Sequence, residues 1–190
     1  MKYLISLSLY LLSLSFACSH DPRQEISKML DAYFAEVQQK QVDELLEYLH
    51  PKLLGMVGKS LFEQQYDQMF NGQDASVSFL AFSQDSISSV FEHDTGNYAL
   101  VQYSFQMRMT LKETENSQAG EKLLNTYRGQ FGEENVIEEE SGAYLISAKR
   151  ELLACQEPGF EGWKLLDYEP GMKIILSQFI AADVFKHFNK

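Results

Sequence analysis

Residues 99–111, ALVQYSFQMRMTL, decide the fold class. Val101, Tyr103, Phe105, Met107, Met109 and Leu111 fall on one side of an extended chain, and Gln102, Ser104, Gln106, Arg108 and Thr110 on the other. Strict alternation over this length describes an antiparallel strand with one face on a core and one face in water. Such a strand is long enough to bend across a sheet. Upstream, Asp94-Thr95-Gly96-Asn97 is a hairpin turn, and residues 77–82 and 86–93 alternate as two further strands. Downstream, residues 143–155 return to strand, Glu157-Pro158-Gly159 begins a tight connection, and residues 163–168 form the last strand.

Helices flank this run. Asp21-Pro22 with Gln24 is a helix start, combining an N-cap, proline at the first helical position and a capping-box partner. Ile26, Met29, Leu30, Tyr33, Phe34 and Val37 then make one apolar stripe, so the first helix runs to about Lys40. A second helix spans residues 42–49, with Leu45, Leu46 and Leu49 on one side, and His50-Pro51 ends it. Gly55 and Gly58 break the loop that follows; Ser60 with Glu63 opens a third helix, closed by Asn71-Gly72. From 112 to 140 the pattern blurs into a short helix over 121–130, on Leu123, Leu124 and Tyr127, and a solvated turn at Glu138-Glu139-Glu140. Met172, Ile175, Leu176, Phe179, Ala182 and Phe185 give an amphipathic terminal helix, about residues 172–188. The expected fold is therefore α+β: N-terminal helices packed on a curved antiparallel sheet, with an extra C-terminal helix.

This order resembles the nuclear transport factor 2-like superfamily, also called the cystatin-like cone. The resemblance is carried by QQKQVDELLEYLHPKLL at 38–54, the third helix ending Phe70-Asn71-Gly72, the strand at 99–111 and GWKLLDY at 162–168. It covers most of residues 22–170, and departs from the family in the insertion around 112–140 and the helix after Gly171. The resemblance implies a sheet wrapped around the first helix to form a cone, with Tyr33, Phe34, Tyr103, Phe105, Met107 and Met109 either lining a pocket or simply filling the interior. Enzymes of the superfamily project an acid or base into that pocket. The inward face of the best strand here offers no Asp, Glu or His, which weighs against catalysis.

The first residues set the address. MKYLISLSLYLLSLSFACS has one cation, Lys2, before an apolar run to Phe16 that is too short to span a bilayer, and a small residue before the break. Residues 1–17 thus read as an export signal, leaving one α+β domain over 18–190. Ala17-Cys18 resembles the cleavage and acylation site of a bacterial lipoprotein, although Ser15 stands where such signals usually carry Leu. Ser15-Phe16-Ala17 also satisfies ordinary signal cleavage, which would give a soluble periplasmic or secreted protein. Two uses of Cys18 are therefore open: a lipid anchor, or a disulfide with Cys155, the other cysteine of the chain.

Charge narrows the partners. The net charge of −11 becomes −12 once Lys2 is removed, which argues against nucleic acid and against electrostatic attraction to anionic lipid. Membrane attachment would then come from lipid on Cys18. His20, His50, His93 and His187 show no metal-site spacing, and no phosphate loop or serine elbow calls for a cofactor. His93 with Asp94, or His50 with a distant partner, would be an acid–base pair; Asp67, Asp85 and Asp167 are general bases by type alone. Cys155 has no electropositive neighbour in sequence to make it a nucleophile. The resulting expectation is an exported, lipid-anchored envelope protein whose non-catalytic cone binds a small apolar ligand or an envelope protein. The alternative is a small pocket enzyme, an isomerase, cyclase or hydratase acting on an apolar substrate.

Overall fold

The computed structural model describes residues 21–112 and 117–189. Cys18 and His20 lie outside them. Six antiparallel strands form one curved, unclosed sheet. They are β1 (Ala75–Ile87), β2 (Phe91–His93), β3 (Gly96–Leu111), β4 (Val136–Glu138), β5 (Tyr144–Gln156) and β6 (Lys164–Asp167). The main path runs β1-β3-β5-β4, with β2 on β3 and β6 on β5. Four helices precede the sheet: α1 (Pro22–Gln39), α2 (Val42–Tyr48), α3 (Pro51–Val57) and α4 (Lys59–Asn71). One, α5 (Ser117–Phe131), crosses between β3 and β4, and α6 (Lys173–Leu176) and α7 (Ala182–Phe188) end the chain.

Strand β3 alternates as its sequence requires: Val101, Phe105, Met107 and Met109 are buried, while Gln102, Gln106, Arg108 and Thr110 are exposed. It pairs with β1 on one side and β5 on the other, which fixes its register along almost its whole length. The hairpin before it closes on Asp94-Thr95, with His93 opposite Gly96. Gly96 has φ +151°, and a Cβ there would come within 2.5 Å of the Gln156 carbonyl, so a larger residue would push β3 off β5. The residues read as two strands, 77–82 and 86–93, divide differently. Ser83-Gln84-Asp85 does not interrupt β1, because register shifts at Phe79/Ala81 and Gln84/Ser86 absorb the irregularity as bulges. These bulges bend the sheet around α1.

The helices depart from expectation at several points. His50-Pro51 ends α2 but also starts α3, since His50 Nδ1 accepts the Lys52 amide at 3.2 Å and proline supplies the first turn. Gly55 lies inside that helix rather than in a loop. Helix α4 starts at Lys59 after Gly58, and Ser60 is not its cap; Glu63 instead meets Lys59 at 3.4 Å. The single terminal helix is two short ones, because Ser177 Oγ donates to the Ile174 carbonyl and Ile180 then drops into the core. The short helix over 121–130 is the longer α5, and Glu138 closes β4 instead of standing in a turn. Glu139, next to it, takes both Arg108 nitrogens at 2.8 and 3.0 Å.

Two cores result. Ile26, Leu30 and Phe34 of α1 pack into the concave face on Ala99, Val101, Leu152 and Ala154. On the opposite face, Tyr98, Leu153, Cys155 and Leu166 are covered by Leu53, Leu176, Ile180 and Val184. Leu152, Leu153, Ala154 and Cys155 are accordingly buried in succession, as expected for a strand covered on both faces. No helix among the described residues is long and apolar enough to cross a membrane. Truncating fully buried Leu30 to alanine should remove about 2–5 kcal/mol of stability. Ile174→Ala, at a residue 77% exposed, should stay within about 0.5 kcal/mol. Urea unfolding of the two variants measures the contrast.

Candidate functional site

Between α1, α4 and α5 and the strands β1 and β3, the concave face is incompletely filled. A cavity of about 340 Å³ is left there. Tyr33 and Val37 of α1, Tyr66 and Met69 of α4, Phe79 and Phe82 of β1, and Tyr103, Phe105 and Met107 of β3 wall it. Tyr127, Gln130 and Phe131 of α5, with Arg150 of β5 and Asp167 of β6, complete the wall. An outer groove of about 740 Å³ adjoins it, sharing Phe82, Phe105, Gln130, Phe131 and Arg150.

Of the six residues expected at the interior, Tyr33, Tyr103, Phe105 and Met107 line the cavity. Phe34 and Met109 do not. Phe34 stacks behind Phe82, with ring centroids 4.4 Å apart, and Met109 is buried among core residues that include Val136 and Ile146. The wall residues not anticipated come from irregularities. Phe79 and Phe82 are three apart, an odd spacing that ordinarily places side chains on opposite faces; the bulge between Phe79 and Ala81 returns both to the concave side. The rings pack on one another around the void: Phe79 and Phe105 meet edge to face at 5.5 Å, Phe105 and Phe131 edge to face at 6.0 Å, and Phe131 stacks on Tyr127 at 5.7 Å.

The polar groups are few and converge. Burial pushes the Tyr33 pKa well up, and the neighbouring Tyr66 and Tyr103 hydroxyls add to the effect. Burial also raises Tyr103, with the Asp167 charge adding to the effect. Asp167 borders the cavity but is exposed to solvent. The protein packed around its carboxyl raises its pKa and the Glu169 charge raises it further, while Arg150 and a hydrogen bond from the Glu169 backbone oppose them. Arg150 is held elsewhere: Nη1 meets Glu169 at 2.7 Å and the guanidinium lies 5.2 Å over the Phe131 ring. Of the other aspartates considered, Asp67 accepts from Asn71 and Asp85 from Ser104, both on the surface.

A second polar cluster lies in the opposite core. The distant partner of His50 is Glu157: His50 Nε2 approaches Glu157 Oε1 at 3.4 Å, longer than a formed hydrogen bond. Among the described residues, Nε2 has no other partner. Tyr98 donates to the same carboxylate oxygen at 2.9 Å, and Lys52 to the other at 2.8 Å. Burial pulls the His50 pKa down against the pull of Glu157. Burial alone would raise Glu157, but Lys52, Tyr98 and His50 hold its pKa below the usual carboxylate range. Phe160 and Phe179 close on the imidazole at 4.8 and 5.0 Å, and the pair lines neither the cavity nor the groove. His93 and His187 are surface groups, the first beside Thr95 and the second stacked on Phe91. Among the described residues, no group of three or more His, Cys, Asp or Glu could hold a metal ion.

No protein-family model matches the chain, nor does any curated protein or solved structure.

Both members of the buried pair make acid destabilising. His50 is depressed in the folded state, so the unfolded chain binds its proton first and stability falls as pH drops below 6.5. Glu157 is also depressed, so its contribution fades as pH drops from 4.5 through the lower folded value. His50→Asn, which keeps a capping side chain, should abolish the higher-pH part of the decline and leave the lower. Urea midpoints measured across that range should resolve the two steps.

Proposed function

We propose that this is an exported envelope protein, held to a membrane by lipid on Cys18, whose cone-like domain binds a small, largely apolar ligand without transforming it. The aromatic cavity carries this reading. Eight of its fourteen wall residues are Phe or Tyr, and such concave, mostly apolar sites with a few convergent polar groups are where small molecules bind. The nuclear transport factor 2-like resemblance agrees with a curved, unclosed sheet packed on N-terminal helices. Address and anchor rest on the signal-like residues 1–17 and on Ala17-Cys18. The Cys155 thiol adds to the case for lipid over a disulfide: it is completely buried, burial pushes its pKa well up, and reaching it would require opening the second core.

A catalytic reading has one observation in its favour, the raised carboxyl of Asp167 beside the hydroxyls of Tyr33, Tyr66 and Tyr103. It would make the domain a pocket isomerase, cyclase or hydratase with Asp167 as general base. The binding reading is preferred because the His50–Glu157 pair, the strongest acid–base partnership described, is walled into the other core.

Titration with the neutral, environment-sensitive dye N-phenylnaphthylamine tests the cavity. The dye should bind and brighten, and Gln130→Trp, at an exposed wall position, should weaken binding about tenfold or more by narrowing the mouth. A dye that fails to bind, or ignores the substitution, counts against the reading. Mass spectrometry of the mature N-terminus should find an acylated Cys18; a free, unacylated Cys18 overturns the anchor.

A further inference from the structure

We infer that the ligand of this cavity carries a positive charge, as a substituted or quaternary ammonium group attached to an apolar body, seated among the aromatic rings with the charge toward Asp167. The inference rests on the ligand-binding reading above and narrows it to one chemical class.

The wall composition is the first ground. Tyr33, Tyr66, Phe79, Phe82, Tyr103 and Phe105 surround the void from four elements, so a cation inside would meet electron-rich ring faces from several directions. The protein already uses this contact at the same site, where the Arg150 guanidinium lies over Phe131. The second ground is charge balance. Arg150 and Asp167 are the Asp, Glu, Lys and Arg side chains of the inner wall, and Arg150 is paired with Glu169. Arg150 offsets Asp167 in part, but with Glu169 counted one positive charge stands against two negative ones, so the balance beside the cavity is negative. Lys149 borders the outer groove but not the inner cavity, and follows Ser147 on the opposite side of β5 from Arg150. The hydroxyl oxygens of Tyr33, Tyr66 and Tyr103 add acceptors to the same wall. An anion would instead face a guanidinium committed to Glu169 and the negative charge of Asp167.

A matched pair of probes tests this on the full mature protein. Meta-hydroxyphenyl-trimethylammonium and meta-tert-butylphenol have nearly the same shape and differ in the charge at the quaternary centre. Calorimetry should show the cation binding about tenfold more tightly than the neutral isostere. Asp167→Asn should erase that preference, and binding of tert-butylphenol to the same variant reports that the cavity has formed. In the unsubstituted protein the preference should shrink in acid, as the Asp167 carboxylate takes up a proton, and the affinity for the neutral probe should not follow it. Equal or tighter binding of tert-butylphenol, or a preference that survives Asp167→Asn, overturns the cationic ligand and leaves the binding cavity standing. If both phenols fail while N-phenylnaphthylamine binds, the cationic class alone is wrong. If all three fail, both readings fall together.

Discussion

Everything in this domain hangs on the pairing of β3 with two partners at once. Sixteen residues long, it is hydrogen-bonded to β1 on one edge and β5 on the other, so its register sets theirs. Because β1 carries extra residues at two bulges, a straight sheet would leave its ladder out of step, and the strands resolve the mismatch by curving. Curvature then makes a concave face deeper than α1 can fill. At one end the α1 side chains Ile26, Leu30 and Phe34 reach the floor and seal it; at the other, rings from α4 and α5 lean over the gap and leave a void between them.

The same strands carry the second core. Near the start of β3 and the end of β5, consecutive residues are buried on both sides, with α1 on the concave face and α3, α6 and α7 on the other. Polar groups brought into such a space must satisfy one another. Glu157 does this by collecting Tyr98 and Lys52 while standing against His50, and His50 is itself tied to β6 through its amide on the Leu165 carbonyl. The arrangement joins the α2–α3 corner to the turn after β5. It is a structural tie, whereas the exposed and partly desolvated Asp167 keeps an ionisable group where a solute can reach it.

Periodicity made much of this legible. The alternation of 99–111, the stripe on α1 and the Asp21-Pro22 start all depend on neighbouring residues, and each emerged where expected. The bulged middle of β1 broke the period and so hid both the continuity of the strand and the shared face of Phe79 and Phe82. Proline after His50 signalled an end truthfully but also a beginning, because proline fits the first turn of a helix as well as it stops the preceding one. ELLACQ at 151–156 did contain a sign of double burial, an apolar run too continuous for a half-wet strand.

The sequence by itself determined the α+β class, the antiparallel sheet, its flanking helices and the acidic surface, since these follow from local pattern and composition. It also holds the export-like N-terminus and Cys18, which no fold is needed to read. Only the tertiary structure decided which apolar side chains line a void and which fill it. It alone brought Asp167 to Tyr33, Tyr66 and Tyr103, and Glu157 to His50. These partners are separated by about a hundred residues or more in several cases, and no period links them. Their meeting depends on how sharply the sheet bends, a property of its pairings as a whole rather than of any one stretch of chain.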